Sequence, residues 1–302
     1  MTSGGGAEFR CSSASESLEE PIAGTASTVR GLLLVECPGG WGIDALVGSR
    51  LPDAVKRWLR DVQRLHKVRP LLIRRHGGHR TADGARVFAG HVGRSGPFLE
   101  TTVLDDVRQV VDLPVPGLAS GERPGLTPYD DPLFLVCTHG KHDVCCAERG
   151  RPLCKALHDV APDHTWEVSH IGGDRFAPNV LVLPEGLYYG RLTPEEAPAF
   201  VETVRAGRLD VEHLRGRCAF PFALQAAEVF LRQKTGHSAG GRPQVVEQVH
   251  DDRGMRIRFR LGLGEWDVRL VTEPAEARRL TCRASALGTA LRHTLLGVTR
   301  VG

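Results

Sequence analysis

Leu133-Phe134-Leu135-Val136-Cys137-Thr138-His139-Gly140-Lys141-His142-Asp143-Val144-Cys145-Cys146 opens as an unbroken apolar strand and stops at a cysteine. Such a run suits a strand covered on both faces. A helix is predicted from Pro152 to Val160, with Leu153, Ala156, Leu157 and Val160 on one side. Trp166-Glu167-Val168-Ser169 is the next strand, ending at His170-Ile171-Gly172-Gly173-Asp174-Arg175. A hairpin follows, Val180 to Leu183 and Leu187 to Gly190 around Pro184-Glu185-Gly186, and then a helix from Pro194 to Arg205.

The same order occurs about 100 residues earlier. Gly31-Leu32-Leu33-Leu34-Val35 is a strand ending in the turn-rich loop Glu36-Cys37-Pro38-Gly39-Gly40-Trp41-Gly42. A helix from Asp53 to His66 carries Ala54, Val55, Trp58, Leu59 and Val62 at helical spacing, with Asp53 placed to cap it. Pro70 to Arg74 is a strand ending at Arg75-His76-Gly77-Gly78-His79, and Arg86 to Gly90 and Phe98 to Leu104 are two more. The chain thus reads as two related β-α-β-β-α halves, an α/β protein of thioredoxin-like layout. Residues 29–112 form a degenerate half without the cysteine cluster, and residues 132–215 form the half that carries it. Residues 113–131, dense in Pro and Gly, are the expected linker.

The ends read differently. Residues 1–28 are rich in Gly, Ser and Glu with no apolar core of a secretory signal, and are expected to be a disordered tail. Residues 216–302 form an extension: a small amphipathic helix with Ala223, Leu224, Ala227, Phe230 and Leu231 on one face, then an antiparallel β-meander. In it Met255, Ile257, Phe259 and Leu261 alternate with Arg256, Arg258 and Arg260. The arginine face reads as solvated surface or, more sharply, as a dock for an acidic electron-transfer partner.

A net charge of +3 spread without a lysine-rich block gives no reason to expect nucleic acid or a membrane surface as partner. No stretch approaches the ~18–20 apolar residues of a transmembrane helix. Eight cysteines in 302 residues are too few for a disulfide scaffold, yet four fall between Cys137 and Cys154. With no export signal and no CxxC pair, a reducing cytoplasm is expected, where clustered cysteines bind metal or do redox work.

Cys137 and Cys146 lie nine positions apart around Gly140, and His170 and Asp174 four apart around Gly172 and Gly173. If their strands are neighbours, both loops open at the same end of the sheet. Two thiolates, an imidazole and a carboxylate would then converge. Iron–sulfur clusters take thiolates, and in mixed cases imidazoles. Gly172 and Gly173 would let backbone N–H groups approach a cluster. The alternatives are a structural zinc site on Cys137, Cys146, His170 and Asp174 or Cys145, and a cluster-free thiol redox enzyme with Cys145 or Cys146 as nucleophile. His139 and Arg175 are either flanking groups that tune charge or solvated loop residues. Cys154 reads as a rim residue and Cys37 as structural; His76 and His79 read as a local loop, and Cys11, Cys218 and Cys282 carry no assigned role. No flavin or nicotinamide fingerprint is present, so electrons would pass between unidentified donor and acceptor proteins.

The motifs "CTHGKHDVCC", "WEVSHIGGDRFAPNVLVLPEGLYYGRL" and "LLLVECPGGWG" together resemble the sucrase/ferredoxin-like family of thioredoxin-like [2Fe–2S] proteins, over most of residues 30–240. The resemblance implies a [2Fe–2S] cluster held by two cysteines and an H-x3-H pair. Position by position these are Cys137, Cys146 (with Cys145 one residue early as second choice) and His170. At the fourth position Asp174 stands where histidine is expected. Either Asp174 ligates, or Cys145, His139, His142 or solvent replaces it, or the cluster is lost. An electron carrier is implied more than a stand-alone enzyme; no carboxylate pair supports the glycoside hydrolysis in the family's name.

Overall fold

A computed structural model describes residues 8–78, 84–93 and 96–301. In chain order its elements are α1 (Cys11–Ser17), β1 (Gly31–Glu36), α2 (Asp53–His66), β2 (Val68–Arg74), β3 (Ala85–His91), β4 (Phe98–Leu104) and the short β5 (Thr127–Pro128). Then come β6 (Leu133–Cys137), α3 (Val144–Val160), β7 (Thr165–Val168), β8 (Asn179–Leu183), β9 (Leu187–Gly190), α4 (Ala197–Arg205) and β10 (Leu214–Arg217). The chain ends in α5 (Phe222–Thr235), β11 (Gln244–Asp251), β12 (Gly254–Leu261), β13 (Gly264–Pro274) and β14 (Leu291–Arg300).

Every residue of β1 and β6 is buried, as their continuous apolar runs demand. Each is paired in parallel with the strand that follows its crossover helix, β1 with β2 and β6 with β7. On the other side each takes an antiparallel partner, β3 or β8, which pairs antiparallel with β4 or β9. The two halves therefore repeat one strand order, β2-β1-β3-β4 and β7-β6-β8-β9. That order, with a helical crossover between the parallel strands, is thioredoxin-like. The halves join edge to edge where β2 meets β7 antiparallel, Ile73 opposite Val168 and Arg74 opposite Glu167. One ten-stranded sheet runs through both. Leu32, Leu34, Leu71 and Ile73 of the first half share a core with Leu133, Leu135, Cys137 and Trp166 of the second.

Four local expectations give way to tertiary contacts. Residues 8–28 were expected in a disordered tail on their polar composition, but Cys11–Ser17 is helical and the Glu20 carboxylate is buried. Arg175, Arg278 and Ser15 surround that carboxylate at 2.9, 2.6 and 2.8 Å. The Pro- and Gly-rich segment 113–131 is not a loose linker. Val115 and Leu118 are buried in the first-half core, and the Leu118 carbonyl accepts from His91 Nδ1 at 2.7 Å. Asp53 is the first residue of α2, after Pro52, and its side chain caps nothing. Helix α3 starts eight residues before the predicted Pro152, because Asp143 caps it: its carboxylate accepts from the Cys145 N–H at 3.0 Å.

In the extension β11 to β14 form a separate antiparallel sheet, whose fourth strand the alternation did not announce. Ile257, Phe259 and Leu261 pack on α5 through Leu224, Ala227 and Leu231. The arginines opposite them are matched within the sheet. Arg256 meets Glu247 at 3.0 Å, Arg258 meets Asp267 at 2.7 Å and Arg260 meets Glu265 at 2.5 Å. Among the described residues no helix is long and apolar enough to cross a membrane.

Candidate metal centre

Parallel strands end at one edge of a sheet, so Cys137 at the end of β6 and the loop after β7 emerge side by side. Cys146 lies in the first turn of α3, which starts seven residues beyond the end of β6. One ligand atom each from Cys137, Cys146 and His170 fall within 4.8 Å of one another. Asp174 stands beside them: the Cys146 thiol donates to its Oδ1 at 3.1 Å, and His170 Nδ1 is 2.9 Å from the same oxygen. That last contact is an ion pair when the ring is protonated. The thiols and the carboxylate are at most 3% exposed, while the His170 side chain is 25% exposed. The sulfurs face the core and the imidazole faces out.

The electrostatics follow from this crowding. A hydrogen bond from Cys146, helped by His170, lowers the Cys137 thiol well below its ordinary range, and the same contact with burial pushes Cys146 up. Burial opposes a charged His170, but Asp174 and Cys137 outweigh it and raise the ring to about 9. Burial likewise opposes the Asp174 carboxylate, and His170 outweighs it, so Asp174 stays low.

The loop is held at every turn. His139 donates from Nε2 to the Gly42 carbonyl at 2.6 Å, and its Nδ1 accepts from the His170 N–H at 3.3 Å. Burial keeps this ring neutral, which that pattern of one donor and one acceptor requires. The His170 carbonyl accepts from Arg69 at 2.9 Å, and the Ile171 carbonyl from Ser27 at 2.8 Å. Beneath the loop lies Arg215, 1% exposed. Its guanidinium donates to Gly172 O at 3.0 Å, Asn179 Oδ1 at 2.7 Å, Thr25 O at 2.5 Å and Thr25 Oγ1 at 3.1 Å. Burial lowers it to about 10.

The glycines at 172 and 173 are required by the packing of the loop. Gly172 and Gly173 have φ of 100° and 80°, a region that favours glycine. A Cβ on Gly172 would lie 2.4 Å from Ser27 Oγ, and one on Gly173 would lie 2.2 Å from Arg215 Nη2. Gly150 in α3 matters similarly, since a Cβ there would fall 2.1 Å from the Cys137 carbonyl oxygen. Gly150→Ala should therefore cost about 1–3 kcal/mol and weaken the site, because α3 must back away from β6. Urea unfolding checks the first effect, and an unchanged midpoint contradicts it.

The sequence-derived residues are distributed as follows. Cys137, Cys146, His170 and Asp174 come together. Cys145, the second choice, does not join them; its thiol is 3.4 Å from Cys282 in another group. His139 has both ring nitrogens engaged, and His142 stacks on His170 with ring centroids 3.7 Å apart. Arg175 turns away to Glu20. Cys154 is no rim residue: it is fully buried among Phe134, Leu157 and Phe200. Cys37 follows β1 in the first-half core, and Cys218 is buried between the halves. His76 lies 3.6 Å from Glu167, and its expected companion His79 is outside the described residues.

Residues 23–216 match the family model described as sucrase/ferredoxin-like, well over half of the chain. The chain belongs to the sucrase/ferredoxin-like family. Among related sequences, an "Altered inheritance of mitochondria protein 32" of Meyerozyma guilliermondii is 32% identical over 97 residues, 28% of this chain and 34% of that protein. The protein of the same name from Debaryomyces hansenii is 38% identical over 95 residues, 28% of this chain and 35% of that one. The chain thus spans about a third of the length of the curated relatives it matches. Among solved structures, a thioredoxin-like [2Fe–2S] ferredoxin from Aquifex aeolicus is 19% identical at a TM-score of 0.26, covering 31% of this chain and 97% of that one. A cysteine-to-serine variant of it gives 20% and 0.24.

Arg215, Ser27 and Arg69 were missed in the sequence because they lie far from the motifs. The signal available was local: arginines at Arg215 and Arg217 inside an otherwise short strand, where a charge needs a buried partner.

Proposed function

We propose that this member of the sucrase/ferredoxin-like family is an electron-transfer protein that holds a [2Fe–2S] cluster through Cys137, Cys146, His170 and Asp174. The reading is carried by one observation: two buried thiols and an imidazole lie within 4.8 Å of one another, with a carboxylate touching both Cys146 and His170. That donor set is the mixed thiolate and imidazole type that suits such a cluster. A bound cluster would accept and release one electron at a time. The chain's own residues would set the conditions: β6 and α3 keep the thiols dry, His139 and Arg69 fix the His170 backbone, and Arg215 places a buried positive charge under the loop. Separate donor and acceptor proteins would complete the path, with neither nucleic acid nor membrane involved. A reducing compartment, in our reading the cytoplasm, suits eight free cysteines.

Asp174 is favoured as fourth ligand over His142 because it is buried and touches both Cys146 and His170, whereas the His142 side chain is 34% exposed. A carboxylate adds negative charge to the site and holds the potential down. Asp174→His should keep the visible spectrum of a cluster and raise its potential by on the order of 100 mV. Potentiometry with spectral monitoring checks this; an unchanged spectrum and potential would remove Asp174 from the ligand set. Zinc also accepts these four donors, and a colourless protein with neither iron nor sulfide would favour that second reading.

A further inference from the structure

Three of the cysteines outside this site meet elsewhere. Cys11 opens α1, Cys145 lies in the first turn of α3, and Cys282 belongs to the segment between β13 and β14. The Sγ atoms of Cys145 and Cys282 are 3.4 Å apart, and those of Cys282 and Cys11 are 3.5 Å apart. Both carboxylate oxygens of Asp143 are 3.6 Å from Cys11 Sγ. One atom from each of the four residues lies within 4.8 Å of all the others.

We propose that Cys11, Cys145, Cys282 and Asp143 form a structural zinc site, separate from the cluster site. Tetrahedral zinc with Zn–S near 2.3 Å and Zn–O near 2.0 Å sets its thiolate sulfurs about 3.8 Å apart and each sulfur about 3.5 Å from the carboxylate oxygen. The Cys11 sulfur-to-carboxylate distance of 3.6 Å fits that polyhedron, and the sulfur pairs at 3.4 and 3.5 Å would open slightly on binding. Disulfide pairing fits less well, because three thiols cannot pair off. Thiol–thiol hydrogen bonds are too weak to assemble three chain segments that lie 134 or more residues apart. Soft thiolates select thiophilic ions, and a closed four-donor set is the structural kind of zinc site.

The surroundings hold the donors in place. The Cys11 N–H donates to Cys282 Sγ at 3.3 Å. Asp143 accepts the Cys145 N–H on Oδ1 at 3.0 Å and the Cys282 N–H on Oδ2 at 2.6 Å. Such outer contacts orient ligands at metal sites. The site sits on the N-terminal end of α3, where negative charge is favoured. It would add to the ion pairs Arg149–Glu16 and Arg10–Glu148 in holding a helix of seven residues, too short to persist alone. Among the described residues, Phe9, Val144 and Ala177 make up the apolar contact there beside the cysteines.

The double variant Cys137→Ser/Cys146→Ser, which lacks two proposed cluster ligands, should still carry about one zinc per chain. Adding Cys282→Ser, a half-exposed loop position, should bring zinc to near zero and abolish the visible bands of a cobalt(II)-loaded tetrahedral thiolate site. As a check that needs no variant, Cys11, Cys145 and Cys282 of the wild-type protein should resist alkylation together and become reactive together on chelation. Absence of zinc from the double variant, zinc unchanged by Cys282→Ser, or alkylation unaffected by chelator would overturn the proposal. Iron and sulfide in the wild-type protein report on the cluster site alone, so each reading can fail without the other.

Discussion

Cys137→Ser should leave the protein without a cluster: iron and sulfide fall from about two each per chain to near zero, and the visible absorbance disappears. Cys137 is the best-placed thiolate of the group, because Cys146 and His170 both stabilise its charged form. A serine hydroxyl at the same place is far harder to ionise and is a poor donor to iron. The fold should persist, since Cys137 ends a strand whose partners β7 and β8 are unaffected. Cys154→Ser is the matched control. That residue is equally buried but lies in the core beside Phe134 and Phe200, so it should cost stability and leave iron unchanged. Equal iron loss in both variants would mean that folding, not ligation, is being measured.

Arg215→Ala should be the most damaging change outside the ligands. It leaves the carbonyls of Thr25 and Gly172 and the Asn179 side chain without their buried donor, at about 1–3 kcal/mol for each group that water cannot reach. A total near 3–5 kcal/mol is expected, since part of the loss is regained by not burying a guanidinium. The positive charge that faces Asp174 and Cys146 also goes. Any cluster that remains should therefore have a lower potential. Denaturant unfolding and potentiometry on Arg215→Ala and Arg215→Lys separate the two effects, because lysine keeps the charge but not the fork of donors. Wild-type stability in the alanine variant would contradict this account of the loop.

The sequence made the two halves legible because β1 and β6 are continuous apolar runs, and their equivalents recur in order. From the parallel pairing of β6 with β7 the convergence of Cys137, Cys146, His170 and Asp174 follows directly. What stayed hidden was whatever depends on distant contacts. Glu20 looks like one more acid in a polar tail until Arg175 and Arg278 reach it. The group of Cys11, Cys145 and Cys282 has no spacing signature, because the three come from the start, the middle and the end of the chain. Val115 and Leu118 sit among prolines and glycines that mark turns, and turn residues do not reveal that the turns pack inward. Gly172 and Gly173 stand out in the sequence as a pair, but nothing local reveals that Ser27 and Arg215 occupy the places their side chains would take.

The central claim is the cluster, and the most direct measurement is the colour and composition of the wild-type protein purified without oxygen. A red-brown solution with iron and acid-labile sulfide near about two each per chain is the expected result. A colourless, folded protein with neither iron nor sulfide would contradict it.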